Sequence, residues 1–363
     1  MSKLVKNNKI LILGGTGAMG IHLVEELKKR SIFEIYVTSR NTYPSEKNIH
    51  YIQGNAMDND FLNSLLKDYY VAIVDFMTYT TSKFQERICH LLMSTDQYIY
   101  LSSSRCYSNA DGLITEETPR LIDICKNSEY LMTDEYALAK GREENILKNS
   151  DRKNWTIVRP YITFSDYRLQ LGVLEKEEWM YRALHGRSIV FSKDIASKLT
   201  TLTYGKDVAI TIAQLIGNPN AIGEAFHITN ETPLKWSDIV NIYADEIYKV
   251  TGKRPPIIMT EKSLNLQSPT QKWQVIYDRY YNRQFDNSKI KNVLKENYPQ
   301  FISTEDGLRM CIRNFIANPR YKSINWKKEA IFDRITKERT PLSEINTLKS
   351  KIKYIIFRYL KNG

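Results

Sequence analysis

The chain has 363 residues, 42% of them hydrophobic, enough for a full-sized core and too many for one ordinary small domain. Its mean hydropathy is −0.43, and no apolar run approaches the roughly 20 residues that a membrane-spanning helix needs. The net charge of +11 is unevenly placed: twelve Lys/Arg against four Asp/Glu between Pro319 and Gly363 give +8, so the basic character belongs to the C-terminal segment and is no footprint for nucleic acid on the body.

The N-terminal stretch runs straight into an apolar segment too short for a signal sequence, with no small-residue cleavage site after it; a cytoplasmic protein is expected. Lys9–Leu13 (KILIL) reads as a buried parallel strand closed by glycines. Met19, Leu23, Val24 and Leu27 recur at helical spacing within 18–30. Strands follow at 34–38 (EIYVT) and 48–52. A helix over 58–67 opens on Asp58, a natural N-cap. Residues 71–75 (VAIVD) and 98–102 (YIYLS) read as buried strands with a helix between them, 133–148 as a long helix and 155–159 (WTIVR) as another strand. Such alternation predicts an α/β fold, a Rossmann-type doubly wound parallel sheet, over residues 1–160. Past Pro160 the alternation loosens. Residues 161–339 are expected to complete the core and to form a smaller substrate lobe, drawn from 161–197 and 229–303, with 340–363 an appended basic tail.

Cys89, Cys106, Cys125 and Cys311 lack CxxC spacing, and the five histidines form no HxH or HExxH pattern; structural thiols and no metal site are expected. Chemistry concentrates in two places. The first is Gly14-Gly15-Thr16-Gly17-Ala18-Met19-Gly20, between the first strand and the first helix. Glycines at 14, 17 and 20 allow a sharp turn, close approach of a pyrophosphate and tight helix packing, and the amides that open the helix hold the phosphates. The second strand then ends in Ser39-Arg40. An acidic residue there would bind the ribose 2′-hydroxyl of NAD, whereas Arg40 offers a charge-assisted fork to the 2′-phosphate of NADP. NADP is the expected cofactor and NAD the alternative; an ordinary exposed arginine stays open. Asn55 and Ala56 lie where an adenine-contacting loop belongs.

The second place is Tyr136-Ala137-Leu138-Ala139-Lys140, a YxxxK motif whose i, i+4 spacing puts tyrosine and lysine on one helix face. An ammonium favours the phenolate form of a nearby tyrosine, which is how a phenol becomes a usable acid–base group. Upstream, Ser102-Ser103-Ser104 closes the fifth strand, at the sheet edge where open α/β folds bind ligands; turn-forming serines are the alternative.

With the strand around IVRPYITF, these segments resemble the extended and atypical short-chain dehydrogenases/reductases, the NAD-dependent epimerase/dehydratase group. The resemblance covers about residues 8–245 and includes LTYGKDVA (202–209) and GEAFHITNETPLKWSDI (223–239). VDFMTYTT, after the fourth strand, resembles the branch that holds chloroplast stem-loop-binding proteins and nucleoside-diphosphate-sugar epimerase-like proteins. By motif, the resemblance makes Tyr136 the acid–base, Lys140 the ribose binder and tyrosine modulator, and Ser103 the substrate-oxygen partner, four residues before Tyr107, with Ser104 the fallback. Asn55 stands where the family usually has aspartate, and Ser108 where it has glycine. The implied function is hydride transfer on a nucleotide-activated sugar by reduction or epimerisation, and the resemblance suggests a homodimer. A non-enzymatic dinucleotide-sensing or RNA-binding protein is the competing reading, without an RNP-type aromatic motif to support it.

In the tail, positions 348, 352, 355, 356 and 359 form an apolar face among Lys349, Lys351, Lys353, Arg358 and Lys361. Such a helix packs on the protein's own body, or docks on a partner or an anionic membrane surface.

Overall fold

The computed structural model describes residues 8–266 and 271–360. The chain forms two compact units, one of 1–163, 201–233 and 283–304, the other of 164–200, 234–282 and 305–363.

The first unit is built on seven strands. In chain order they are β1 (Lys9–Leu13), β2 (Glu34–Ser39), β3 (Ile49–Gln53), β4 (Tyr70–Asp75), β5 (Thr95–Leu101), β6 (Trp155–Pro160) and β8 (Glu224–Ile228), with β7 (Ile189–Ser192) in the second unit. Their spatial order is β8-β6-β5-β4-β1-β2-β3, and every adjacent pair is parallel. The Rossmann sheet expected from the strand–helix alternation is therefore present. Strand side chains alternate between faces. Ile10 and Ile12 join Val37, Val74, Ile99 and Val158 under α1 (Gly20–Arg30) and the helix Gly205–Leu215. Leu11 and Leu13 join Ile73, Tyr98, Tyr100 and Ile157 under α3 (Thr81–Met93) and α4 (Tyr136–Lys148). Both faces are covered, and for that reason the strands read as unbroken apolar runs. Asp58 caps α2 (Asn59–Leu65) by accepting from the Phe61 N–H at 2.9 Å.

Two returning segments finish this unit. Ile114 pairs with Phe285, and the Asn287 amide donates to the Thr229 carbonyl at 2.8 Å. The stretch 229–303 is thus divided, with 229–233 and 283–303 in the sheet-bearing unit.

In the second unit β7 (Ile189–Ser192) runs parallel to β9 (Ile257–Thr260). Trp179 stacks on Tyr243, ring centroids 4.4 Å apart. Arg182, fully buried, pairs with Glu329 and Asp333 at 2.8 Å. Of the segment 340–363, expected as an appendage, residues 340–360 are described and are tied into this unit: Thr340 N–H and the Tyr354 hydroxyl both donate to Asp333 Oδ2, at 2.7 and 2.6 Å, and Tyr354 and Ile345 are buried.

Candidate active site

The phosphate loop follows from local constraints. Gly14 takes φ +71, a left-handed turn that side chains resist, and its N–H donates to Thr38 Oγ1 at 3.0 Å. A Cβ at Gly20 would lie 2.6 Å from the Gly15 backbone, so α1 presses directly onto the loop. Gly17 N–H donates to the Gly14 carbonyl and Ile21 N–H to the Gly17 carbonyl, both at 3.1 Å. The loop floors a cleft of about 450 Å³. Gly14, Thr16, Gly17, Arg40, Asn55 and Ala56 all line it. Ala18 and Met19 stand at the start of α1, and Met19 packs against the core.

These residues fit a dinucleotide. Backbone without side chains faces the cleft beside a helix N-terminus, which suits a pyrophosphate. The Arg40 side chain is exposed at the rim and makes no hydrogen bond or ion pair among the described residues. Asn55 Oδ1 accepts from the Met57 N–H at 3.1 Å, so its amide shapes the adjacent loop. Thr38, Gly54, Phe76, Met77 and Thr78 also line the cleft; none was named as a site residue in the sequence, although the last three lie within VDFMTYTT.

The wall made by Phe76, Met77 and Thr78 hangs from Asp75, the last residue of β4. Its carboxylate is fully buried and accepts from Met77 N–H at 2.9 Å, Tyr79 Oη at 2.9 Å and Tyr98 Oη at 2.8 Å. Burial holds this carboxyl above the ordinary aspartate range, against the opposing pull of those hydrogen bonds.

Tyr136 opens α4. Glu135 caps that helix by accepting from Ala137 N–H at 2.9 Å, and also takes Arg105 at 2.6 Å and Tyr130 Oη at 3.0 Å. Asp134 ties the same corner to α3 by accepting from the Thr81 N–H and hydroxyl. The Tyr136 ring is left 37% exposed, with the Arg105 guanidinium 5.3 Å and the Lys140 ammonium 5.9 Å from its centroid. Both cations therefore lie beside the Tyr136 ring. Arg105 was not singled out in the sequence, where it reads only as part of SSSRCY.

Lys140 is 2% exposed. Its ammonium donates to Tyr100 Oη at 2.8 Å and Glu143 Oε2 at 3.1 Å, not to Tyr136, and Tyr100 in turn donates to Glu143. Burial raises the Glu143 carboxyl above its usual range, with Lys140 opposing. Neither Tyr100 nor Glu143 was foreseen. The signals were present: an acid three residues past the lysine on a helix, and a tyrosine alternating with Tyr98 on the inward face of β5.

The three serines have different fates. Ser102 donates to Glu144 at 2.6 Å and Ser104 to the Arg159 carbonyl at 2.7 Å. Ser103 Oγ accepts from the Arg105 N–H at 3.2 Å, and its own proton has no acceptor among the described residues. Below them lies a charged layer. Glu144 accepts from Arg159 through Nε at 2.8 Å and Nη2 at 2.7 Å, and from Arg120 at 3.2 Å. Glu144 is fully buried, and the two guanidiniums bring its carboxyl down to about 2 against the cost of burial. No cluster of His, Cys, Asp or Glu suited to a metal ion occurs among the described residues.

Residues 14–189 match the family model for NAD(P)H-binding domains. Over 239 residues the chain is 26% identical to the chloroplast stem-loop binding protein of 41 kDa b of Arabidopsis thaliana, a match spanning 61% of this chain and 59% of that protein's length. Among solved structures it is similar to an epimerase from Methanothermobacter thermautotrophicus (TM-score 0.66, 17% identity, 86% of this chain and 93% of the other). It is also similar to the dTDP-glucose 4,6-dehydratase of Bacillus anthracis in complex with NAD (0.63, 17%, 85% and 97%). A third is the UDP-glucuronic acid 4-epimerase of Bacillus cereus in complex with UDP-glucuronic acid and NAD (0.62, 18%, 85% and 99%). At these identities the likeness to solved structures is one of fold.

Proposed function

Because this chain carries an NAD(P)H-binding Rossmann domain on the architecture of the NAD-dependent epimerases and dehydratases, consistent with the extended short-chain dehydrogenases/reductases, we propose that it is an oxidoreductase or epimerase acting on a nucleoside-diphosphate sugar. The observation that carries this reading is the exposure of Tyr136 at the head of α4, with the buried Lys140 one turn behind it and the Ser103 hydroxyl proton available. The bound nicotinamide would supply or accept hydride at a sugar carbon. Tyr136 gives its phenolic proton to the carbonyl oxygen as that oxygen becomes a hydroxyl, and takes the proton back in the reverse direction. Ser103 donates to the same oxygen and orients it. Arg105 and Lys140 stabilise the phenolate that remains, and Glu143 with Tyr100 fixes the lysine.

The test is to incubate the purified protein with NADPH or NADH and a panel of nucleoside-diphosphate sugars and keto-sugars. Cofactor consumption would report net reduction, and NMR would report epimers formed without it. Dinucleotide binding with neither reaction across the panel would overturn the proposal. The name of the Arabidopsis relative favours a second reading, an RNA stem-loop binder on the same fold. Sequence-selective stem-loop binding by such an inactive protein would favour it.

Cofactor choice rests on Arg40. Arg40→Asp is expected to weaken NADPH binding by about 10- to 100-fold, the worth of a charge-assisted hydrogen bond, and to leave NADH binding nearly unchanged. Fluorescence titration with both dinucleotides reads this out. Equal losses for both, or a wild-type preference for NADH, would remove Arg40 from cofactor selection.

A further inference from the structure

The C-terminal helix Leu348–Ile355 continues as a π-helical turn through Ile356–Leu360, and it carries two apolar surfaces. One is covered: Tyr354 is 1% exposed and packs with Ala330 and Ile345, and Phe357 rests on the same cluster. The other faces water. Leu348 is 73% exposed, Ile352 50%, Ile355 37% and Tyr359 55%. Spacings of four, three and four residues line these up along one side of the helix. Over Leu348–Ile355, with 3.6 residues per turn, Lys349 and Lys353 border the line on one side and Lys351 on the other, while Arg358 is turned to the body and donates to the Glu338 carbonyl at 3.1 Å. From Ile345 to Gly363 the sequence has five Lys/Arg and no Asp/Glu.

We propose that this outward stripe docks on an anionic lipid bilayer, with the helix lying in the plane of the headgroups and its apolar side chains in the acyl boundary. Charge complementarity selects the occupant. An apolar line bordered on both sides by cations, in a segment without acids, matches a surface that offers hydrocarbon beneath a layer of negative charge. The lysine stems can lie along the apolar boundary while their ammonium groups reach phosphates. A second copy of this chain fits poorly, because two such stripes face to face would bring identical basic borders together. The helix lies on the bilayer and does not cross it, since no helix among the described residues is long and apolar enough to span one. Its fold is secured from the other side, by the Tyr354–Asp333 bond and by the Thr347 cap on Ser350 N–H at 3.2 Å.

The test uses the full chain pelleted with vesicles of phosphatidylcholine alone or mixed with phosphatidylserine. The wild type is expected to pellet with the mixed vesicles at low salt, to stay in solution with phosphatidylcholine alone, and to be released by high salt. The double variant Ile352→Ser, Ile355→Ser should bind about tenfold less or weaker, and Lys349→Gln, Lys353→Gln should lose the preference for phosphatidylserine. All four side chains are exposed, so circular dichroism and thermal unfolding should match the wild type for both variants. No pelleting with anionic vesicles, or unchanged pelleting of the isoleucine variant, would overturn the proposal. So would a wild-type oligomer that the isoleucine variant dissociates, since the stripe would then be a protein contact.

Discussion

Replacing Tyr136 by phenylalanine is expected to lower turnover about 10²–10⁴-fold, the usual worth of a positioned general acid–base, with dinucleotide affinity unchanged. The substitution removes one oxygen. The ring stays beneath Arg105 and Lys140, and its hydroxyl holds nothing in place: it makes no hydrogen bond among the described residues, and the ring is 37% exposed. Folding is therefore not at stake, and a loss of rate at constant affinity isolates a proton-transfer role. Once a substrate is in hand, kcat and the dinucleotide Kd of both proteins decide the matter. Near-native turnover in the variant would take Tyr136 out of the chemistry.

Glu144→Gln is expected to cost stability instead, by about 3–5 kcal/mol, the typical penalty for breaking a buried ion pair from one side. The amide matches the carboxylate in shape and lacks its charge. Arg159, 2% exposed, would be left with the Tyr107 hydroxyl at 2.8 Å, while Arg120 keeps Asp123 at 2.8 Å. The pH dependence gives an independent check. The two guanidiniums hold the Glu144 carboxyl down at about 2 in the folded chain, against 4.5 for an ordinary glutamate. A depressed carboxylate stabilises above its unfolded pKa and loses that contribution as pH falls through its folded one. The gap corresponds to roughly 3 kcal/mol at 1.36 kcal/mol per unit. Urea unfolding should therefore separate wild type and variant widely at neutral pH and progressively less as pH falls below about 4.5 toward about 2. Asp123→Asn, which removes a partly exposed partner, should cost under about 1 kcal/mol. A Glu144→Gln protein within that same margin would show that the layer contributes little.

The sheet and its phosphate loop were legible because the information is local. KILIL followed by GGTGAMG needs only the neighbouring residues to impose a strand, a left-handed turn and a helix closely packed on both. The YxxxK spacing likewise reads directly as one helix face. The surroundings of the lysine were not legible in the same way. Tyr100 sits 40 residues from Lys140 and reaches it only because β5 lies beside α4. Asp75 looked like the polar end of a strand, yet two tyrosine hydroxyls and an amide converge on it. The chain's path after Pro160 was the least readable. It passes from one unit to the other at 163, 200, 233, 282 and 304, and strand or helix periodicity carries no mark of which core a segment joins. Arg283, which donates to the Ser108 carbonyl at 2.8 Å from 175 residues away, has no local signature.

The Asp75 anchor also bears on how a ligand is received. A loop that must be immobilised when its ligand arrives subtracts that ordering from the affinity. Here the segment after β4 is fastened to the sheet by a carboxylate that accepts one backbone and two tyrosine hydrogen bonds, so the ordering is completed when the chain folds. A dinucleotide in this cleft would meet a wall already tied to the sheet by those three bonds. Preorganisation ties two properties to one side chain, since whatever loosens Asp75 weakens the folded unit and widens the target that the dinucleotide must find.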